Sequence, residues 1–152
     1  MSTAEIFNYL PIDERIATAG QPTEEQLREA AAEGFTAIIN LAPVNPPYTM
    51  EDEAGLVESL GMSYHYIPVQ WNNPTDADFD AFEQTMNQLP TERVLIHCAA
   101  NFRVTAFYSL YARKHLGWTE EQAQALREII WANDRYPVWQ AFISRKTAEI
   151  EA

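Results

Sequence analysis

The stretch from Val94 to Thr105 constrains the fold of this chain more strongly than any other part of its sequence. The apolar run at its start predicts a short buried strand over Arg93–His97. A loop follows, and residues 103–116 are apolar around much of a helical circumference, which predicts a central, buried helix. Cys98, the only cysteine of the chain, therefore lies at the mouth of a helix, where backbone N–H groups and the helix dipole favour an anion such as a thiolate.

Similar strand and helix patterns alternate along the whole chain. Capping boxes begin at Thr23 and Thr119, Thr75 caps a further helix, and Pro137 can begin the last helix as its first residue. The alternation predicts an α/β domain with a central, largely parallel sheet of four to five strands and helices on both faces. In such sheets ligands bind beyond the carboxyl ends of the strands, where Cys98 is expected.

The predicted elements have the following bounds. One or two short strands are expected within Ile6–Leu10 and Arg15–Ala19, and further strands over Phe35–Leu41, Ser63–Val69 and Arg93–His97. Helices are expected over 23–33, Met50–Leu60, a segment that starts at Thr75 and includes Leu89, 103–116, 119–133 and a segment from Pro137. The proline-rich segment Ala42–Tyr48 and the polar segment Gln70–Pro74 are predicted loops.

Length and charge narrow the possible functions. The 152 residues suit a single domain over 1–152, and the sequence shows neither a leader pattern nor an apolar membrane span, so we expect a cytoplasmic protein. The net charge is −12, which argues against nucleic acid or a membrane as partner. Residues 1–92 carry 16 acidic and 2 basic side chains, whereas residues 93–152 carry 6 and 8. The half of the chain that contains Cys98 is therefore the less repulsive one for an anionic ligand.

Cysteine and histidine usage limits the kinds of site further. One cysteine cannot form an internal disulfide, and with three scattered histidines it gives no zinc-ligand spacing, so we expect no metal and no cofactor. The sequence does not indicate the oligomeric state.

The residues after Cys98 favour an oxyanion site. The loop residues Ala99, Ala100, Asn101 and Phe102 offer backbone amides that can surround a tetrahedral oxyanion, and the Arg103 guanidinium can bind two of its oxygens. A thiolate facing the central atom would then transfer a phosphoryl group through a cysteinyl-phosphate. The alternative is a buried structural cysteine, which is the commoner fate of a lone cysteine.

The pairing of His97 and Cys98, with Arg103 and Thr105 at the start of the next helix, resembles the cysteine-based protein tyrosine and dual-specificity phosphatases. The signature of the dual-specificity class is His-Cys, five residues, Arg, then Ser or Thr. The chain is most similar to the small bacterial phosphatase-like domain associated with beta-lactamase hydrolase-like proteins. The resemblance also includes the segment Ala19-Gly20-Gln21-Pro22-Thr23 and implies a dual-specificity-phosphatase-like fold.

The resemblance implies roles for individual residues. Cys98 would be the nucleophile and Arg103 the phosphate clamp, while His97 would orient the loop and favour the thiolate. Thr105 would contribute its hydroxyl at the phosphate site, and Gln21 is expected to reach the same site. A turn residue that caps the next helix explains Gln21 equally well.

The sequence departs from the signature in its spacing. Four residues instead of five separate Cys98 from Arg103, whereas Thr105 keeps the usual distance from the cysteine. The arginine is therefore expected to be displaced by one place, which rotates a helical side chain by about 100°. Asn101 stands near the usual loop glycine, and asparagine tolerates a left-handed conformation better than most residues.

The general acid of the class is also missing from its usual loop. The class takes an aspartate from the loop that here reads Gln70–Asp76, and Trp71 or an asparagine aligns with it. Asp76 is the nearest candidate acid and Asp78 lies just behind it. Both carboxylates also suit the first turn of a helix capped by Thr75, and for Asp78 we prefer this structural interpretation.

Three functional hypotheses remain open from the sequence. The first is a phosphatase that acts on a phosphorylated protein or a small phosphoester. The second is a weakly active or inactive module that binds phosphate or another inorganic oxyanion. The third is sulfur transfer at the same cysteine, as in a rhodanese-like carrier.

Overall fold

A computed structural model describes residues 2–45 and 49–152, and within them five strands form one sheet. The strands are β1 (Leu10–Pro11), β2 (Ile16–Ala19), β3 (Ala37–Asn40), β4 (Ser63–Tyr66) and β5 (Val94–His97). They lie in the order β1-β2-β5-β3-β4. The short edge strand β1 is antiparallel to β2, and all other neighbours are parallel. The predicted α/β class with a largely parallel sheet is confirmed.

Helices formed by the described residues cover both faces of this sheet. They are α1 (Glu24–Ala32), α2 (Glu53–Ser59), α3 (Asp76–Asn87), α4 (Phe102–His115), α5 (Glu120–Ile130) and α6 (Pro137–Glu151). Alternate residues of β5 enter two separate apolar clusters: Val94 and Ile96 pack with α3 to α6, and Leu95 packs with α1 and α2. None of the helices that the structure describes combines the length and the apolar character needed to cross a bilayer.

The helix starts follow the predicted caps. Thr23, Thr75 and Thr119 each accept a hydrogen bond from the third helical amide, and the residue at that position bonds back to the cap amide. These boxes satisfy backbone donors that have no partner within the helix. They fix where α1, α3 and α5 begin from local sequence alone.

β3 spans Ala37–Asn40, shorter than the predicted Phe35–Leu41, and four further elements differ from their predicted bounds for identifiable reasons. Asn8 has a positive φ of 52°, which turns the chain and leaves no strand over 6–9, so that β1 begins only at Leu10. β4 ends at Tyr66 because the pairing then loses its regular spacing: the Ile67 amide donates to the Asn40 carbonyl and the Val69 amide to that of Leu41, only one residue further on. Two helices are shorter than predicted: α2 starts after its Asp52 cap, and α5 ends where Trp131 becomes extended. The predicted loop Ala42–Tyr48 contains no helix or strand over 42–45, and its residues 46–48 lie outside the described residues.

The N-terminal segment packs against the loop that follows β5, and Gly20 makes the contact possible. The Gly20 amide donates to the Phe7 carbonyl at 2.7 Å, and the Gln21 amide donates to the Ala99 carbonyl at 2.9 Å. A Cβ at Gly20 would lie 2.7 Å from the Ala99 carbonyl oxygen and 2.9 Å from that of Phe7. The Gly-Gln-Pro segment therefore holds the cysteine loop by backbone contact.

Substitution of Gly20 tests this contact. We predict that Gly20→Ala lowers the free energy of unfolding by about 1–3 kcal/mol, because the added methyl overpacks two backbone oxygens. The displaced loop should also expose Cys98, so that a thiol reagent labels it faster in the native state. Urea unfolding and labelling far below the unfolding transition measure the two effects, and the chain has no second cysteine to confuse the signal.

Gly117→Ala is a control that separates the effect of backbone strain from that of steric overlap. Gly117 has a φ of +73° and no atom within 4 Å of an added Cβ, so this change should cost about 1–2 kcal/mol of left-handed strain. Its labelling rate should equal that of the wild type. Unchanged stability and labelling in Gly20→Ala would contradict the contact.

Candidate active site

The cysteine loop begins at the carboxyl end of the sheet's central strand. β5 lies between β2 and β3, ends at His97, and passes through Cys98–Asn101 into α4. Asn101 adopts the left-handed conformation, with φ 69° and ψ 7°. This one residue reverses the chain tightly enough for the helix to start immediately, so the cysteine and the first helical turn adjoin the same space.

A cavity of about 300 Å³ opens on this loop. Its lining consists of Trp71, Cys98, Ala99, Ala100, Phe102 and Arg103. A second cavity of about 320 Å³ shares three of these residues and extends toward the loop after β3, with the lining Ala42, Pro43, Asn45, Thr49, Gln70, Trp71, Ala99 and Arg103. Although Cys98 lines the first cavity, it is only 1% exposed. Its thiol is accessible from this one direction.

The backbone around the cavity retains donors for an anion. Within the described part of the chain, the amides of Ala99, Ala100, Phe102 and Arg103 donate to no protein acceptor. Phe102 and Arg103 belong to the first turn of α4, where amides have no intrahelical partner and the helix dipole favours negative charge. The predicted oxyanion cradle is therefore chemically possible at this loop.

The shortened loop still brings Arg103 to the cysteine. Arg103 is the second residue of α4, is 8% exposed, and lines both cavities. One arm of its guanidinium, Nη1, donates to the Val69 carbonyl at 2.8 Å. The expected displacement by one position does not remove the arginine from the site, because this carbonyl holds it over the cavity.

Two residues that were predicted at the phosphate site direct their side chains elsewhere. The Asn101 amide Nδ2 donates to the Asn8 carbonyl at 2.9 Å and to the Thr18 hydroxyl at 3.0 Å. The Thr105 hydroxyl donates to the Asn101 carbonyl at 2.9 Å and accepts from Trp131 Nε1 at 3.0 Å. Asn101 thus shapes the loop, and Thr105 stabilises the start of the helix.

His97 is part of a buried network that the sequence did not predict. Its Nδ1 donates to the Cys98 carbonyl at 3.2 Å, and its Nε2 lies 2.6 Å from Glu53 Oε2. His97 is 0% exposed and Glu53 only 4% exposed. Gln21 reaches the same carboxylate, since its Nε2 donates to Glu53 Oε1 at 2.9 Å. Gln21 therefore lies beside the cysteine loop, but it acts on Glu53 and lines neither cavity.

The charge state of this network follows from its hydrogen bonds. Burial alone would raise the pKa of Glu53, but the hydrogen bond and charge of His97, together with hydrogen bonds from Gln21 and Tyr64, lower it below its ordinary value. An ionised Glu53 requires a donor at His97 Nε2, and the Cys98 carbonyl requires a second donor at Nδ1. Both ring nitrogens of His97 therefore face a hydrogen-bond acceptor, which fixes the orientation of the ring next to the cysteine.

Glu53 was missed because nothing in its sequence neighbourhood separates it from surface acids. It follows Glu51 and Asp52, and the latter only caps α2. A run of three carboxylates usually lies on a solvated face. The missing information was that α2 packs on β4 and α1 and brings its first residue, Glu53, to His97 at the end of β5.

The structure does not bring Asp76 to the cysteine. Its carboxylate pairs with Arg145 at 2.7 Å and Lys146 at 2.9 Å, both on α6. Hydrogen bonds from these two cations lower its pKa, which disfavours a proton-donating role. Asp78 belongs to the Thr75 capping box, as the structural interpretation predicted.

Trp71, which aligns with the missing acid, forms an aromatic wall instead. Its ring centroid lies 5.4–6.0 Å from those of Phe102, Trp131, Tyr136 and Trp139. Its backbone carbonyl accepts a 2.7 Å hydrogen bond from Trp139 Nε1. This cluster joins the loop after β4 to α4 and α6 and encloses one side of the cavity.

A larger cavity among the described residues lies elsewhere. It measures about 460 Å³, lies between α5 and α6, and contains none of the predicted site residues. The two smaller cavities adjoin the Cys98 loop and the Arg103 guanidinium, and one of them is lined by Cys98 itself, so we place the candidate active site there.

Comparison with known proteins gives relatives of the same architecture. No family model matches the sequence. A crystal structure described as "Putative phosphatase (DUF442)" from Shewanella putrefaciens CN-32 is 34% identical, covers 97% of both chains and has a TM-score of 0.87. The curated "Beta-lactamase hydrolase-like protein" of Xylella fastidiosa is 34% identical over 104 residues, which are 65% of this chain and 23% of that protein. The match therefore spans about a quarter of this curated relative.

A more distant solved structure has the same fold. TpbA from P. aeruginosa is 12% identical, with a TM-score of 0.73 over 94% of this chain and 85% of that one, which shows a shared fold. Together with the near full-length match at 34% identity, the fold and the His97-Cys98 loop lead to one conclusion. The chain belongs to the DUF442 family of phosphatase-like proteins, which has the fold of the cysteine-based tyrosine and dual-specificity phosphatases.

Proposed function

We propose that this protein is a cysteine-dependent phosphatase that hydrolyses a phosphomonoester of a phosphorylated protein or a small molecule. One observation carries the proposal: a single cavity of about 300 Å³ is lined by Cys98, Arg103 and the uncommitted amides of the loop. These groups supply a nucleophile and donors for the nonbridging phosphate oxygens. No described residue lining it has a competing carboxylate.

The proposed reaction has two displacements at phosphorus. Cys98 Sγ attacks the phosphorus atom while the ester P–O bond breaks and its electron pair stays on the leaving oxygen. Arg103 and the loop amides bind the nonbridging oxygens, where they balance negative charge in the transition state. Water then attacks the cysteinyl-phosphate, which releases phosphate and regenerates the thiolate.

Relatives of the same fold support this ligand class. TpbA has been crystallised in complex with phosphotyrosine, and the core catalytic domain of the PP-IP phosphatase SIW14 from S. cerevisiae in complex with citrate. Both ligands are oxyanions. We extend the shared chemistry, but neither specific ligand, to this chain.

A second candidate function is an oxyanion-binding module with little or no turnover. The placement of Asp76 favours it, because its carboxylate is tied to α6. A general acid contributes about 10²–10⁴ in rate. A site that binds phosphate without such a donor can serve as a sensor or a docking module.

Substitution of the nucleophile and the clamp tests the first candidate. We predict that Cys98→Ser lowers the hydrolysis of an aryl phosphate by about 10³-fold or more, as removal of a covalent nucleophile does in other enzymes. We predict that Arg103→Ala weakens binding of inorganic phosphate roughly 10- to 100-fold, because a hydrogen bond to a charged group is worth about 1.5–3 kcal/mol. A malachite-green assay and titration calorimetry measure these effects.

Arg28→Ala is the matched control for the clamp. Arg28 pairs only with neighbouring acids on α1, so its loss changes net charge equally without touching the cavity. Phosphate affinity that falls equally in both arginine variants would contradict a specific clamp. Turnover that survives Cys98→Ser would overturn the nucleophile, whereas phosphate binding without wild-type turnover would favour the second candidate.

The buried pair of Glu53 and His97 generates a pH prediction. Because the pKa of Glu53 is lowered in the folded protein, its stabilisation is present above the ordinary carboxyl pKa and is lost as pH falls through the folded value. We predict that Glu53→Gln lowers the free energy of unfolding by about 1.5–3 kcal/mol at neutral pH. This deficit should shrink as pH falls below 4.5, the ordinary value.

The same variant should change the chemistry of the thiol. Loss of the carboxylate removes the acceptor that holds the His97 ring, and through it the Cys98 carbonyl, in place. The loosened loop should expose the buried thiol, so the rate of Cys98 alkylation at neutral pH should rise. Glu58→Gln, on the exposed side of α2, is the control and should leave both stability and alkylation unchanged. A stability deficit that does not depend on pH would contradict the ion pair.

A further inference from the structure

Trp71 is the shared wall of three adjoining cavities. It lines the cavity at Cys98, the cavity toward the loop after β3, and a third of about 140 Å³. The third cavity is otherwise lined by Asn72, Tyr136, Pro137, Val138 and Trp139. No other residue in the described ranges lines all three. A group attached to a phosphate in the cradle would therefore meet this ring if it extended into any of the three cavities.

The Trp71 ring is held in place but remains partly open. Four aromatic neighbours pack around it, and its backbone carbonyl accepts the indole hydrogen bond of Trp139. It is nevertheless 38% exposed. A fixed ring with an open surface can bind a planar apolar group at little cost in conformational entropy, because its own rotamer is already restricted.

The charges around the three cavities are few. Among the described lining residues, Arg103 is the one charged side chain, and there is no carboxyl or imidazole. A ligand with several phosphates would find a partner for only one of them. A departing oxygen would find no carboxylic acid to protonate it.

We propose, building on the function proposed above, that Trp71 is a specificity-determining residue that selects monophosphates of planar aryl leaving groups over alkyl phosphates and polyphosphates. The ring of the ester packs against Trp71 and Phe102 while Arg103 binds its single phosphate. When Cys98 Sγ bonds to phosphorus, the P–O bond breaks and the oxygen departs as the phenolate, which afterwards takes a proton from water. The preference for aryl phosphates thus has two sources: contact of the aryl group with the Trp71 ring and the acidity of the leaving phenol.

Binding measurements on Cys98→Ser separate the ring contact from the cradle. Calorimetry with inorganic phosphate, phenyl phosphate and n-butyl phosphate should show phenyl phosphate bound about 2- to 10-fold more tightly than the other two, the range of an aromatic pair. A further Trp71→Leu change should abolish this ratio, and Trp71→Phe should retain most of it. Trp118→Leu is the control, because that indole packs against Tyr108 and lines none of the three cavities.

The outcomes distinguish this inference from the proposed function. Failure of inorganic phosphate to bind would overturn the cradle and both proposals with it. Phosphate binding without a phenyl preference, or a preference that survives Trp71→Leu, would overturn the role of Trp71 alone. Inositol hexakisphosphate that binds much more tightly than inorganic phosphate would contradict the single-phosphate site.

Turnover by the wild type tests the departure step. In a series of substituted phenyl phosphates, the leaving phenols range in pKa from about 7 to about 10. As the pKa of the phenol rises over this range, kcat/KM should fall by a factor on the order of 10²–10⁴, the contribution that a general acid would otherwise make. A flat dependence would reveal a proton donor in the site and would overturn the acid-free departure.

Discussion

The turn at Asn101 is the constraint on which the candidate site depends. A central strand ends and a buried helix begins within four residues, and this requires one residue with φ near 69°. Such a conformation is costly for most L-residues and less so for asparagine. Two reciprocal contacts stabilise it: Asn101 donates to the Asn8 carbonyl, and Asn8 donates to the Ala100 carbonyl. The cradle geometry is therefore a property of the loop and the N-terminal segment together.

Electrostatic balance is the second requirement of an anion site in an acidic protein. The chain carries a net charge of −12, and Glu53 places one carboxylate just behind the cysteine loop. This negative charge would oppose a thiolate and a phosphate if it stood alone. His97 and Gln21 each form a hydrogen bond with one of its oxygens, and Glu53 lines neither cavity at the loop. The field at the cavity then depends mainly on Arg103 and the helix dipole.

The parts of the site that the sequence predicted are those encoded by local pattern. The apolar strand before Cys98, the buried helix after it, and the three threonine caps depend on short-range periodicity and hydrogen bonding, and the structure confirms them. Arg103 was expected near the cysteine because four residues separate them. Its attachment to the Val69 carbonyl was not, since that partner comes from another loop.

The features that the sequence did not reveal are tertiary. Glu53 resembles a surface acid until α2 packs against the sheet, and Trp71 is merely an aromatic residue in a polar loop until α6 covers it. Thr105 has the spacing of a phosphate ligand, but its hydroxyl accepts a hydrogen bond from the Trp131 indole. In each case a partner distant in sequence decides the role of the side chain, and local propensity carries no information about that partner.

The hydrogen bond between Asn8 and Ala100 affects the order in which parts of the protein fold. It joins residues 92 positions apart, and closing so long a loop costs chain entropy before any contact can compensate. Contacts between strands and helices that are closer in sequence cost less chain entropy to form. The cysteine loop acquires its final shape only when Asn8 and Ala100 meet. The cysteine loop therefore forms only when the fold is complete. In a partly folded chain, Cys98 lacks the surrounding geometry that would select an oxyanion ligand.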